Sequence, residues 1–242
     1  MRFWRAAYLA VGAVSVAAAA AGRRGDRVTR VVKPALMPLL GAHACSRASR
    51  GARLPVVLAG LAGGLLGDVI LMGKDGRSDD ASVRARNLNL GSAAFSVNQV
   101  AYISELWRRG YRPRRSTLVL RAPVLASGIV TAATGARAAL PAAAGYGTAL
   151  AATSVLAADP GARTDGSSAD LSGLGLGGNL FVLSDGLILA RLAFLRGGSP
   201  VVQRLDGLVD GLVMATYVAA QLLIVEGLTG HTAKTGQAGR KK

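Results

Sequence analysis

Leu54-Pro55-Val56-Val57-Leu58-Ala59-Gly60-Leu61-Ala62-Gly63-Gly64-Leu65-Leu66-Gly67-Asp68-Val69-Ile70-Leu71-Met72 is an apolar run with a single charge near its end. Wound as a helix at 1.5 Å per residue, it is about 28 Å long, close to the thickness of a bilayer's hydrocarbon core. Gly60, Gly64 and Asp68 follow one another at four-residue steps, so they share one helical face. A face that small lets a neighbouring backbone approach closely and carries the carboxylate inward with it. Seven further apolar runs lie outward from this one, at 6–22, 31–44, 88–107, 116–134, 138–157, 174–195 and 207–228. Eight helices of about twenty residues use about 160 residues and leave about 80 for loops and tails, with no room for a separate soluble domain. Period-2 alternation is not sustained anywhere, which excludes a transmembrane barrel. The expected fold is an all-α, polytopic integral membrane bundle of about eight transmembrane helices. Residues 1–229 form its single domain, and 230–242 form a basic, disordered tail drawn to anionic lipid.

Composition agrees. Of 242 residues, 51% are hydrophobic, mean hydropathy is +0.37, and 29 Lys+Arg outweigh 13 Asp+Glu to give a formal +16. A nucleic-acid binder would carry such charge on a folded soluble surface. Here the basic residues sit between the apolar runs, so the expected partner is a lipid bilayer and not nucleic acid. The single cysteine, Cys45, excludes an intrachain disulfide framework and a cysteine-based zinc site, and His43 and His231 are too few for a multi-histidine metal centre. The first run has a second reading as a secretory signal peptide, with Arg2 and Arg5 before an Ala-rich stretch. We read it as a retained helix, because Arg23, Arg24, Arg27 and Arg30 make an ordinary loop before the next span.

Loop charge sets the orientation. With the N-terminus inside, the inner segments hold 15 Lys and Arg residues and the outer loops 11. Both termini are therefore expected on the cytoplasmic face of a bacterial plasma membrane.

Charges inside the spans need a reason, since each costs on the order of 2.5–3.5 kcal/mol at a helix centre on insertion scales. The sequence offers Lys33, Asp68, Asp185, Asp206 and Asp210, with Glu105 and Glu226 at the opposite end near the interface. Lys33 opens the second span, Asp68 lies near the end of the third and Asp210 opens the eighth. All three therefore fall toward the odd-numbered loops, with Asp185 near mid-span. Lys33, Asp68, Asp185 and Asp210 are expected to line one pocket running from that face to the midplane. Asp206, Asp210, Tyr217 and Gln221 form a polar stripe on the last span, and Phe95, Asn98, Gln99 and Tyr102 share a face of the fourth. The bland readings are that an Asp only clamps Lys33, that Asp206 caps its helix, and that the tyrosines pack.

Two motifs mislead. Gly173-Leu174-Gly175-Leu176-Gly177-Gly178 fits GxGxxG but follows a loop and not a strand, so close helix packing explains it better. Asp185-Gly186, Ala190-Arg191, Asp206 and Asp210 approach the signature of CDP-alcohol phosphotransferases. Three residues instead of two separate Gly186 from Ala190, and Val182 replaces the preceding Asp. A one-residue slip turns a helical side chain by about 100°, which breaks that carboxylate set.

Four segments in order resemble the YhhN-like membrane proteins, the lysoplasmalogenase family. They are Lys33-Pro34-Ala35-Leu36-Met37-Pro38, Gly67-Asp68-Val69-Ile70-Leu71-Met72, Phe181-Val182-Leu183-Ser184-Asp185, and Thr216-Tyr217 through Gln221-Leu222-Leu223. A fifth, Gly91 to Tyr102, is similar to the family's F-x4-H-x2-Y helix, with Gln99 where a His is common. The resemblance implies eight transmembrane helices and hydrolysis of the vinyl ether of a lysoplasmalogen or related lysophospholipid. The products are a fatty aldehyde and a glycerophospho-head group, and the reaction needs neither metal nor cofactor. It points to Asp68 and Asp185 as the acid–base pair, with Lys33 on the phosphate or beside its carboxylate neighbour. Asn98, Gln99, Tyr102, Tyr217 and Gln221 are then water- or glycerol-binding residues, with Asp210 in the same pocket. The competing reading is a lipid or small-molecule transporter or binding protein, since intramembrane carboxylates also couple protons. No internal repeat of the transporter kind is evident.

Reporter fusions at the C-terminus and inside the 158–173 loop are both expected to report cytoplasm. Two periplasmic signals reverse the orientation, and opposite signals overturn the helix count between them.

Overall fold

The computed structural model describes residues 2–49, 51–78, 80–135, 137–159, 173–195 and 199–230. The expected basic tail beyond Gly230 lies outside the described residues. Among the described residues nine α-helices follow in order: α1 (Arg2–Ala20), α2 (Asp26–Val32), α3 (Leu36–Arg47), α4 (Leu54–Leu71), α5 (Ala81–Arg108), α6 (Arg115–Gly135), α7 (Gly147–Ala157), α8 (Gly173–Phe194) and α9 (Pro200–Thr229). Among the described residues there is no strand, and every apolar run of the sequence is helical. Five stretches are long and apolar enough to cross a membrane: α1, α4, α6, α8 over Gly173–Arg191, and α9. The chain is an all-α bundle of the membrane type.

The remaining three spans depart from uniform helices, each for a local reason. The second is jointed, since α2 and α3 meet at a 3-10 turn over Lys33–Ala35. Pro34 has no N–H to give to the turn before it, so the α ladder cannot run through. Lys33 therefore stands at a joint seven residues into the helical stretch, and not at its start. The fourth, α5, has 28 residues with polar side chains along its buried face, among them Asn98, Gln99 and Glu105. The sixth begins with a π turn, Ala142–Tyr146, ahead of the short α7.

The last span starts earlier than its hydropathy suggests. Ser199 caps α9 by accepting from the Val202 N–H at 3.3 Å, and Pro200 fits the first turn, where no N–H is needed. Thirty residues make α9 about 45 Å long, more than the hydrocarbon core requires. Asp206 is thus well inside the helix and does not cap it. Arg191 of α8 binds Asp206 at 2.8 Å and also binds Asp210, clamping α8 to α9.

Glycine sets the closest approaches. A Cβ added to Gly63 would lie 2.8 Å from Val97 Cβ and 3.0 Å from the Ala94 carbonyl, so α4 lies directly on α5. In the glycine run of α8, a Cβ on Gly177 would meet Ile224 at 3.0 Å, and one on Gly178 would meet Ser154 Cα at 2.9 Å. That run is a packing face against α9 and α7. α1 belongs to the core: Tyr8, fully buried, donates its hydroxyl to the Val218 carbonyl at 2.9 Å.

One end of the bundle is closed by arginines. Glu226 Oε1 pairs with Arg5 at 3.0 Å, His43 at 3.0 Å and Arg47 at 3.5 Å, drawing α1 and α3 to the end of α9. Glu105 pairs with Arg108 and Arg109, and Arg109 also reaches the terminal carbonyls of α9. Both glutamates lie at the end opposite the Lys33 joint.

Replacing Gly63 by Val is expected to lower stability by about 1–3 kcal/mol through overpacking, read as an earlier thermal unfolding in detergent. An unchanged midpoint would show that α4 can shift away from α5 at little cost.

Candidate functional site

The joint in the second span delivers Lys33 to Asp68. Lys33 Nζ is 2.9 Å from Asp68 Oδ1, and the Tyr217 hydroxyl donates to Asp68 Oδ2 at 2.8 Å. Asp68 is 1% exposed, so this carboxylate has exchanged water for one cation and one phenol. The ammonium also lies 5.6 Å from the centre of the Tyr217 ring, within cation–π range. Three chain segments, the joint, the end of α4 and the middle of α9, thereby meet at one carboxylate.

A cavity of about 140 Å³ lies beside this cluster and is lined by Lys33, Asp68, Phe95, Tyr146, Asp185 and Tyr217 among others. Asp185 enters from the middle of α8 and accepts a hydrogen bond from Tyr146 at the end of the π turn. Lys33 and Asp68 both lie within electrostatic reach of Asp185. Phe95 forms the floor, its ring centre 6.1 Å from Tyr217, 6.2 Å from Tyr146 and 6.5 Å from Phe181. Apolar walls from α6, α7 and α8, such as Val124, Leu125, Leu150 and Leu189, complete the cavity. Its chemistry is that of two carboxylates, one ammonium, one guanidinium and two phenols facing a hydrocarbon-lined space.

Three of the four charges expected in one pocket are there. Asp210 is not among the lining residues, being held by Arg191. The early start of α9 explains the error, because Asp210 lies seven residues and about 10.5 Å along the axis from Tyr217, the residue that reaches Asp68. Asn98, Gln99, Tyr102 and Gln221 are fully buried but do not line the cavity either. Asn98, Gln99 and Gln221 lie one turn beyond Phe95 and Tyr217, Tyr102 lies two turns beyond Phe95, and together they form a layer beneath the cavity. The Tyr102 hydroxyl donates to Gln221 Oε1 at 2.5 Å, and Gln99 donates weakly to Asn98 Oδ1 at 3.5 Å. Asn98 Nδ2, Gln99 Oε1 and Gln221 Nε2 have no hydrogen-bond partner among the described residues. Buried orphan amides of this kind are where internal water is held.

Two lining residues escaped the sequence reading. Tyr146 stands alone in Ala142-Ala143-Ala144-Gly145-Tyr146-Gly147, and that isolation was its available signal. The π turn that aims it was not legible. Arg121, 6% exposed in α6, belongs with the intramembrane charges; its guanidinium donates to Asn179 Oδ1 at 2.8 Å and Ser154 Oγ at 3.3 Å. Its place inside the run 116–134 was the signal for it. The phosphotransferase-like carboxylates stay apart in role, with Asp206 and Asp210 on Arg191 and Asp185 on the cavity.

No curated protein and no solved structure matches the chain. A family model does, and it spans the joint, the cavity and the last helix alike: residues 28–228 match the YhhN family, to which the chain belongs.

Proposed function

We propose that this chain is an integral membrane hydrolase that cleaves the vinyl ether of lysoplasmalogens or a related lysolipid, releasing a fatty aldehyde and a glycerophospho-head group. The observation that carries the reading is the pair Asp68 and Asp185 on one cavity, each with its own tyrosine, beside a lysine and under apolar walls. Family membership supports it, and so does the membrane setting, which keeps a lysolipid within reach.

The reaction needs a proton on carbon and a water on the adjacent carbon. Protonation of the alkene carbon distal to oxygen gives an oxocarbenium ion; water adds to it, loses a proton, and the hemiacetal collapses to aldehyde and alcohol. Asp68 has a cation 2.9 Å away and serves as the anion that steadies the oxocarbenium ion and takes the proton from water. Asp185 has a neutral phenol as its partner and, among the described residues, no cation at ion-pair distance; it serves as the acid. Lys33 sits at the polar end, where a phosphate would lie, and Tyr217 and Tyr146 hold the two carboxylates in place. The amide layer under the cavity stores water next to the site. No step calls for a metal or cofactor. In this reading the termini are cytoplasmic and the membrane is the bacterial plasma membrane.

Asp68→Asn and Asp185→Asn are each expected to lower turnover of a vinyl-ether lysophospholipid about 10²–10⁴-fold per folded molecule. Asp68→Asn also strands Lys33, which costs about 3–5 kcal/mol, so its stability falls. The double variant Lys33→Met/Asp68→Asn removes both charges and is expected to regain stability but not turnover. Activity per folded molecule near that of the parent in both single variants would end the acid–base assignment. Wild-type protein that binds lysolipid and releases no aldehyde would favour a binding or transport role.

Turnover in heavy water is expected to slow when proton transfer to carbon limits the rate, and to leave deuterium on the aldehyde α-carbon. Aldehyde without deuterium there would exclude protonation of carbon.

A further inference from the structure

The cavity has a second boundary, and it faces the bilayer. Arg121, Val124, Val182 and Gly186 line the charged cavity and also a hollow on the outer side of α6 and α8. The outer walls of that hollow include Leu120 and Leu183, 60% and 48% exposed. Most of α6 is uncovered in the bundle, with Leu118, Val119, Val124 and Val130 exposed as well, so this side meets lipid. Gly186 lines both spaces. It is exposed on the outer side of α8, and a Cβ built on it meets nothing within 4 Å.

We infer that the α6–α8 cleft at Gly186 is the passage through which the hydrocarbon chain of a single-chain lipid lies while its head group is held at Lys33. The inference rests on the proposed lysolipid chemistry for the identity of the head, and on the cleft itself for the chain. Depth along the membrane fixes the direction. Lys33 and Asp68 lie toward the odd-numbered loops, where a lipid of that leaflet keeps its phosphate. Asp185 and Gly186 lie at mid-span, where that lipid's chain would be. The bond between head and chain then falls between the two aspartates. The chain leaves past Val182, Gly186 and Val124 into the hydrocarbon core, alongside Arg121, Ser154 and Asn179, which are hydrogen-bonded to one another. A glycine at this position leaves the passage open, and a large side chain there would narrow it. One chain fits an occupant that enters sideways from the membrane; a soluble substrate would have no use for an opening walled by Leu120 and Leu183.

The test uses the full chain in lipid nanodiscs with a saturated 1-O-alkyl lysophosphocholine that carries a diazirine at mid-chain. This probe has no vinyl ether, so labelling reports binding whether or not the protein is a hydrolase. Photolabels are expected on peptides covering 118–128 and 179–189. Gly186→Trp is expected to fold, since the space is open, and to reduce those labels at least about fivefold by filling the passage. Leu66→Trp, on the exposed face of α4, is the control and is expected to leave them unchanged. Labels spread evenly over α1, α4 and α6, or labels at 179–189 that Gly186→Trp does not reduce, would overturn the passage. Turnover supplies the second arm. Gly186→Trp is expected to slow a long-chain vinyl-ether lysolipid about tenfold or more beyond any loss on a water-soluble analogue with a four-carbon chain, whereas Leu66→Trp is expected to leave both rates unchanged. Equal rates of the variant and parent on the long-chain substrate would also overturn it. Cleft labelling that Gly186→Trp removes, in a wild-type protein that turns over neither substrate, would refute the hydrolase and keep the passage.

Discussion

A lysine and an aspartate facing each other at 2.9 Å inside a lipid-embedded bundle set the terms for everything around them. Either charge alone would be expensive in hydrocarbon, and together they still need their remaining bonding capacity filled. The fold meets that demand by bending one span and committing parts of two others. The Pro34 joint swings Lys33 off the regular helix path, α4 brings Asp68 on a face made narrow by glycine, and α9 turns Tyr217 toward the second carboxylate oxygen. Replacing the trio with leucines of similar volume would be the cheaper way to hold three helices together. Its retention places a charge at the wall of a cavity, where charge is useful for chemistry.

The two ends of the bundle treat charge differently. At the arginine-rich end, Glu226 and Glu105 are each bound by two arginines, with His43 also on Glu226, and open onto no described cavity. Their work is to anchor α1, α3 and α5 to the end of α9 and to neutralise its exposed carbonyls, which favour nearby cations. Toward the other end, Asp206 and Asp210 share Arg191 and tie α8 to α9. Between these belts, Asp185 meets a phenol and an open space. Structural carboxylates here are matched to guanidinium groups, and the pair on the cavity is matched to tyrosine and lysine instead. That contrast separates the clamp residues from the site more cleanly than depth alone.

Much of this was legible beforehand because hydropathy and depth are linear properties. The eight helical runs, the glycine face of α4, the shared face of Phe95, Asn98, Gln99 and Tyr102, and the meeting of Lys33 with Asp68 and Asp185 all follow from spacing along the chain. Asp210 was misplaced because a hydropathy window begins where the apolar residues begin, at 207, whereas Ser199 and Pro200 start the helix two turns sooner. The layer of Asn98, Gln99, Tyr102 and Gln221 was read as cavity lining because period identifies the inward face but not which inward residues have space in front of them. Tyr146 was hidden by the π turn, which shifts a side chain off the 3.6-residue lattice that the sequence reading assumes. Arg121 differs in kind: the intramembrane charges read from the sequence omit it, although its position inside the run 116–134 was legible, and only its partners needed the structure.

The pairing of the first helix with the last has a consequence for how the protein is made. Tyr8 bonds to the Val218 carbonyl and Arg5 to Glu226, contacts more than 200 residues apart in sequence. At ribosomal rates of roughly 5–20 residues per second, about 10–40 s pass between synthesis of the first helix and arrival of its partner. During that interval α1 sits in the membrane with its inner face, Tyr8, Gly12, Ser15 and Ala19, unmatched by protein. Lys33 waits a far shorter time for Asp68, which follows it by only 35 residues. The Lys33–Asp68 pair is thus complete early, whereas Tyr217, which caps it, and the seam between α1 and α9 arrive together at the end. That seam stays open until translation is almost finished.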